Sequence, residues 1–280
     1  MTATVVLFSF VGGIAVVLVA LGVLRLLDLR LERQVWSGLL KQKDAYAQRF
    51  DPSLTKDFPE PAKRYLCYAI SPGTLLLQTA IIEMTGQFGL GTAAKPNYAP
   101  MHARQILAGT SGFVWKMASG VISGSDGLGP IGSWTRFRVF GLLPVARTGF
   151  DENHKRSAFA RAVAEAAFWA PASVLPGKGI MWEAAGPDTA RLTVSRDGMV
   201  QQVDLTLATD GRPLSMVMPR WSNANPEKVW RIQPFGANFG AIGEFDGFRL
   251  PVEVDAGNFY GTADWFPFFR AQVTSIKHAP

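Results

Sequence analysis

A second cysteine is missing from this chain. Cys67 stands alone among 280 residues, so no intramolecular disulfide forms and the redox compartment stays undiagnosed. It reads as a small hydrophobe on a helix, not a catalytic thiol, because no histidine is near it in sequence. Histidine is scarce too. His102, His154 and His278 include no pair at metal-ligand spacing, so neither a metal nor a cofactor is expected. Runs of five or more Lys/Arg are absent despite a net charge of +6, and with them the footprint of a nucleic-acid binder. There is no P-loop and no G-x-S-x-G elbow. One motif does match: Gly127-Leu128-Gly129-Pro130-Ile131-Gly132 has dinucleotide-binding spacing. That chemistry needs a helix starting there, with free amides facing a pyrophosphate. The residues from Ser133 to Val139 read as strand, and Pro130 removes an amide. The segment is predicted to be a glycine-rich hairpin loop.

The most informative absence is that of charge near the N-terminus. From Val5 to Leu24 no side chain is charged, and fourteen of these twenty residues are Val, Leu, Ile or Phe. A helix of that length spans about 30 Å, the thickness of bilayer hydrocarbon. At about 0.3–0.6 kcal/mol per large apolar residue, insertion is favoured by roughly 6 kcal/mol. A cleaved signal peptide needs a basic start and a small-x-small cleavage site. Met1-Thr2-Ala3-Thr4 has no cationic side chain, and Leu24-Arg25-Leu26-Leu27 is a poor site. An uncleaved, single-pass anchor in the plasma (inner) membrane is therefore expected. Six basic and three acidic residues follow between Arg25 and Phe50, a bias that favours the cytoplasmic side for the rest of the chain.

Leu24, Leu27, Leu31, Val35 and Leu39 recur at three- and four-residue steps, which predicts that the helix continues to about Ala47. That seam has three uses open to it: packing on the domain, lying on the membrane with Trp36 at the interface, or pairing with a second copy into an oligomer. The predicted organisation is an anchor and juxtamembrane helix over residues 1–54 and one β-rich domain over residues 55–280. A short helix is predicted over 62–70, after Phe58-Pro59-Glu60-Pro61. The clearest strand pattern is a meander. Ala190, Leu192 and Val194 alternate with polar neighbours, Asp197-Gly198 turns, Val203, Leu205 and Leu207 alternate, Asp210-Gly211 turns, and Leu214, Met216 and Met218 follow. Weaker strand signals lie near 74–88, 101–108, 113–121, 131–140, 180–184, 244–248, 251–260 and 268–276. A helix over 152–169 has Phe159, Ala162, Val163, Ala166 and Ala167 on one face and Pro171 beyond its end. The fold class is α+β: an N-terminal transmembrane helix, then a curved, mostly antiparallel sheet, a half-open barrel, packed on one or two helices.

Chemistry-bearing residues are few. Arg161 and Glu165 are four apart on that helix, which fits either an ordinary surface ion pair or a pair turned inward, where an Arg fork holds a carboxylate or phosphate. Trp169 follows one turn later and Trp182-Glu183 opens the next strand. Trp115 belongs to a set of scattered aromatics that either fill a core or line a cavity for an apolar ligand.

Pro61-Ala62-Lys63-Arg64-Tyr65-Leu66, Ser111-Gly112-Phe113-Val114-Trp115, the run from Phe159 to Glu165, Trp169-Ala170-Pro171, Val174-Leu175-Pro176, Trp182-Glu183, Arg220 and Gly247-Phe248-Arg249-Leu250-Pro251 occur in an order that resembles a bacterial family, domain-of-unknown-function family 6544. Where members typically have Arg-Tyr-Leu before the helix Glu, this chain has Arg161-Ala162-Val163, so the ring is lost while Arg161 and Glu165 remain. The resemblance brings no activity. It implies a fold similar to the half-barrel of bacterial lipoprotein carriers, which hold acyl chains between a curved sheet and a helix. Three functions follow as expectations: a membrane-anchored domain binding a lipid-like or other apolar ligand, with Arg161, Glu165, Trp169, Trp182, Glu183 and Trp115 as its candidate contacts; an enzyme acting on a small anionic substrate through Arg161, Glu165 and Glu183; or a structural protein working through the juxtamembrane helix.

Overall fold

The computed structural model describes residues 3–42 and 48–279, with side chains from residue 10 onward. Helix α1 (Ala3–Leu40) is 38 residues long, about 57 Å at 1.5 Å per residue. Every side chain from Phe10 to Ala20 is exposed, and the helix is long and apolar enough to cross a membrane. Its predicted continuation to Ala47 falls partly on residues 43–47, outside the described residues; the helix itself ends at Leu40.

Helix α2 (Glu60–Ala69) opens the part that follows. An antiparallel meander then runs through β1 (Thr79–Gly89), β2 (Tyr98–Ala108), β3 (Phe113–Ser119), β4 (Ile122–Gly129), β5 (Gly132–Val139) and β6 (Leu143–Gly149). Helix α3 (Glu152–Trp169) comes next. A second meander holds β7 (Ile180–Gly186), β8 (Thr189–Arg196), β9 (Met199–Leu207), β10 (Pro213–Ser222) and β11 (Arg231–Phe239). A small hairpin, β12 (Ile242–Phe245) and β13 (Phe248–Pro251), precedes β14 (Glu253–Asn258) and β15 (Phe266–Ala279). Thirteen of these strands form one sheet, in the order β6-β5-β4-β3-β2-β1-β15-β14-β11-β10-β9-β8-β7. The last strand, β15, lies antiparallel against the first and stitches the two meanders together. The edges of the sheet are thus β6 and β7, and α3 is the link between them. It touches β2, β4 and β5 from one half and β9 and β10 from the other. A sheet that meets one helix from both halves is curved around it, which is the expected α+β half-barrel.

The other face of the sheet receives α1. Val35 and Leu39 bury themselves against Ile106, Val114 and Trp134. Glu32 pairs with Lys116 at 2.8 Å. Asp28 meets Arg136 at 2.9 Å, together with Arg138 and Arg147. Of the three uses open to the seam, its C-terminal half therefore packs on the sheet, and Trp36 lies under the Arg104 guanidinium.

The predicted meander of β8, β9 and β10 forms with the alternation read from the sequence, and α3 takes the predicted bounds. Three strands carry no readable signal. In β4, glycines stand where packing demands them: a Cβ on Gly127 would lie 2.3 Å from the Trp134 indole, and one on Gly124 would lie 2.0 Å from a carbonyl of Arg136. The motif read as a glycine-rich loop is accordingly the end of β4 and the start of β5, with a tight turn at Pro130-Ile131. β6 and β11 contain Pro144 and Pro234, residues that demote a strand pattern.

Candidate functional site

The ends of α3 fix its place in the concavity. Asp151 caps it by accepting the His154 amide at 2.9 Å, and Pro171 stands just past Ala170, where the chain leaves the helix. Eleven of its eighteen residues are buried, so it is enclosed by the sheet and not laid upon it. Alanines at 158, 160, 162, 164, 166 and 167 give it the narrow cross-section that this enclosure needs.

Between α3 and the sheet the space is open. A cavity of about 310 Å³ is lined by Arg161, Ala164, Glu165, Phe168 and Trp169 from the helix. Its other walls are aromatic and methionine side chains, among them Phe88, Trp115, Phe137, Phe268, Met216 and Met218. Trp115 is the hub of the aromatic wall, with ring centres of Phe88, Phe137 and Phe269 at 6.2, 6.3 and 6.1 Å. Trp169 turns its indole N–H out of the cavity, to the Pro251 carbonyl at 2.9 Å.

One polar lattice crosses this apolar wall. Arg161 donates from Nε to Glu165 at 2.7 Å, from Nη1 to Asp126 at 3.0 Å and from Nη2 to Gln105 at 3.2 Å. Gln105 in turn donates to the second oxygen of Glu165. The guanidinium plane lies over Phe113 at 4.5 Å and Trp115 at 5.0 Å. Each of the three Arg161 nitrogens is therefore engaged internally, and the fork ties α3 to β2 and β4.

Arg220 is placed differently. It lines the same cavity from β10, and its stem packs the guanidinium over Phe235 at 4.9 Å. Among the described residues it has no hydrogen-bonding or ion-pairing partner, and its Nε is buried. Burial, reinforced by the like charge of Arg161 and opposed by Asp126 and Glu165, pushes its pKa down to about 10. Asp126 keeps one buried carboxylate oxygen without a partner. Both residues also line a second, polar cavity of about 460 Å³, where His154, Ser157, Thr148, Ser222 and Asn223 collect. There His154 is held between Ser133 Oγ at 2.8 Å and Thr135 Oγ1 at 3.0 Å, and burial lowers its pKa.

Four of the residues singled out from sequence thus meet at one cavity: Trp115, Arg161, Glu165 and Trp169. Two do not. Trp182 packs in another part of the core, against Phe58 and Tyr65. Glu183 is exposed on the opposite face of β7 from Trp182, so Arg161, Glu165 and Glu183 are not brought together as the enzyme expectation requires. Arg220 had a readable signal, since it continues the inward alternation of Met216 and Met218. Asp126 had none, lying in the glycine-rich β4.

The model of a family of unknown function, DUF6544, matches residues 48–271. No curated protein matches the chain. Among solved structures, a LolA superfamily protein, NE2245, from Nitrosomonas europaea is similar at 8% identity and a TM-score of 0.41, over 78% of this chain and 91% of that one. A putative outer membrane lipoprotein-sorting protein domain from Vibrio parahaemolyticus is similar at 10% identity and a TM-score of 0.38, over 81% of this chain and 91% of that one.

Proposed function

The chain belongs to the family of unknown function DUF6544, and from that premise we propose that it is a membrane-tethered binding protein whose half-barrel takes up an apolar or lipid-like ligand. The observation that carries this function is the open chamber of about 310 Å³ between α3 and the sheet. Close packing is the rule in protein interiors, and an aromatic-lined void of that size leaves its walls without dispersion partners. It matches the lower range of ligand pockets, about 300–1,000 Å³. Removing a ligand's apolar surface from water there is worth about 25 cal/mol per Å².

The tether is the apolar part of α1. Residues 10–20 of that helix are all exposed, and a bare apolar helix of the length of α1 has the bilayer as its natural cover. The cations between Arg25 and Phe50 favour the cytoplasm, whereas a carrier-like use of the half-barrel would favour the periplasm. Alkaline phosphatase fused after Pro280 separates the two, being active only outside the cytoplasm.

Native mass spectrometry of the full chain, released from detergent, tests the binding function. Wild type is expected to retain a small apolar adduct that Ala164→Phe, which fills the chamber, does not. Lipid held at the anchor would survive in both. Identical spectra would rule out a ligand in this chamber.

A further inference from the structure

The two cavities beside α3 adjoin one another and share part of their lining. Asp126, Thr135, Arg220 and Phe268 line both the aromatic chamber and the polar one. On one side lie rings and methionines; on the other, hydroxyls, Asn223 and His154 stand among Phe113, Trp134 and Trp230. Of the charged groups there, Asp126 and Glu165 are engaged by Arg161, with one oxygen of Asp126 left unpartnered. Arg220 has no anion within ion-pairing distance among the described residues. A cation so placed is costly without a partner, and it lines both cavities.

Resting on the binding function above, we propose that the ligand is a single-chain amphiphile with an anionic head, its tail in the aromatic chamber and its carboxylate or phosphate on Arg220 at the mouth of the polar one. Arg161 and Glu165 hold the helix in place and do not touch the head. The polar cavity takes the hydration or substituents that the head carries.

The test uses the full chain in a non-ionic detergent, with native mass spectrometry as the readout and three probes of one tail length: dodecanoate, dodecyl phosphate and dodecanol. Wild type is expected to bind at least one of the anions about tenfold or more tighter than dodecanol, the size of one charge-assisted hydrogen bond. The two anionic arms separate a carboxylate from a phosphate head. Arg220→Gln is expected to erase the preference while dodecanol binding persists, and Arg220→Lys to restore part of it, which a folding defect would not do. Equal binding of all three probes by wild type, or an unchanged preference in Arg220→Gln, overturns the assignment of the head. If wild type and Ala164→Phe take up dodecanol equally, the chamber itself is the part that fails.

A separate observation concerns the other face of the sheet. Arg25, one residue past the uncharged run, donates to the carbonyl of Gly141 in the β5–β6 turn. Phe140 in that turn donates its amide to Val121 in the β3–β4 turn at 2.8 Å. Both turns therefore sit at the level where α1 leaves the domain. They carry Phe140, 77% exposed, and the exposed Val121, and the adjoining start of β6 adds the exposed Leu143 and Val145. Behind them Arg147 is 39% exposed, while Arg136 and Arg138 are buried against Asp28. Apolar tips beside the accessible cations Arg25 and Arg147 suit an anionic membrane surface. We propose, on the premise that α1 spans the bilayer, that these two turns dip into the acyl boundary of the same membrane and fix the domain's orientation on it.

A nitroxide at Phe140→Cys in a Cys67→Ser background, in liposomes of phosphatidylcholine and phosphatidylglycerol, tests this. Oxygen should reach the label and a water-soluble nickel chelate should not, with a label at Asp210→Cys showing the reverse. Nickel access at both positions overturns the seat. A label at Val17→Cys distinguishes the cause: if it too is nickel-accessible, α1 does not span, and the seat falls with the tether.

Discussion

Arg161 and Asp126 are joined across the concave face, guanidinium Nη1 to carboxylate oxygen at 3.0 Å. With Glu165 on its own helix at 2.7 Å, Arg161 pins α3 to the sheet at the rim of an open chamber. The side chains of Arg161, Glu165 and Asp126 are 17%, 13% and 23% exposed, so deleting the cation leaves two largely buried carboxylates unpaired. Arg161→Leu is expected to lower unfolding stability by about 3 kcal/mol, the low end for a broken buried pair. Urea unfolding in detergent micelles measures it, and a loss below about 0.5 kcal/mol would reduce the lattice to an ordinary surface pair.

Arg220 should behave oppositely. It has no protein partner to strand among the described residues, so Arg220→Met is expected to stabilise the ligand-free chain by about 1–3 kcal/mol. Thermal melting of wild type and variant compares them. A lower melting temperature for Arg220→Met would mean that the cation is compensated.

His154 supplies a pH signature. Burial, with a smaller repulsion from Arg220, holds its folded pKa below the unfolded value, while Asp126 and Asp151 oppose the shift. The unfolded chain therefore takes up a proton near the ordinary value of about 6.5, before the folded chain does. Its contribution is complete above that pH and is lost as pH falls through it. His278 is shifted the same way by burial, so the comparison needs a variant. Wild type should lose more stability than His154→Gln between about pH 7.5 and 5.5, read from urea midpoints across that range.

Asp28 should decide whether α1 stays docked. It is the shared carboxylate for Arg136, Arg138 and Arg147, and Asp28→Asn leaves three cations facing one another. The docked half of α1 is expected to loosen by on the order of 3 kcal/mol. Limited trypsin digestion reports it through faster cleavage at Arg30 and Arg33, both exposed on that helix. An unchanged cleavage rate would assign the docking to the other contacts of α1, Val35, Leu39 and the Glu32–Lys116 pair among them.

Legibility followed the strength of local pattern. α3 was readable because Phe159, Ala162, Val163, Ala166 and Ala167 repeat at helical spacing and Pro171 closes it. The β8–β10 meander was readable because two Asp-Gly turns punctuate clean alternation. β4 was not, since Gly124 and Gly127 exist to admit Arg136 and Trp134 from the neighbouring strand, a constraint visible only in three dimensions. The site was half readable for a related reason. Arg161 and Glu165 share a local spacing, but the partners that consume the fork, Gln105 and Asp126, come from strands far away in sequence. A fork that looks free in sequence is engaged at all three nitrogens in the fold, while Arg220, which alternation places inward, is the cation left over.

The central claim is that the chamber between α3 and the sheet holds an apolar tail. Native mass spectra of the full-length wild type and Ala164→Phe test it most directly, each incubated with dodecanol, which carries a tail and no charge. The account predicts a dodecanol adduct on wild type that is lost in Ala164→Phe. An adduct of equal abundance on both proteins, or on neither, would contradict it.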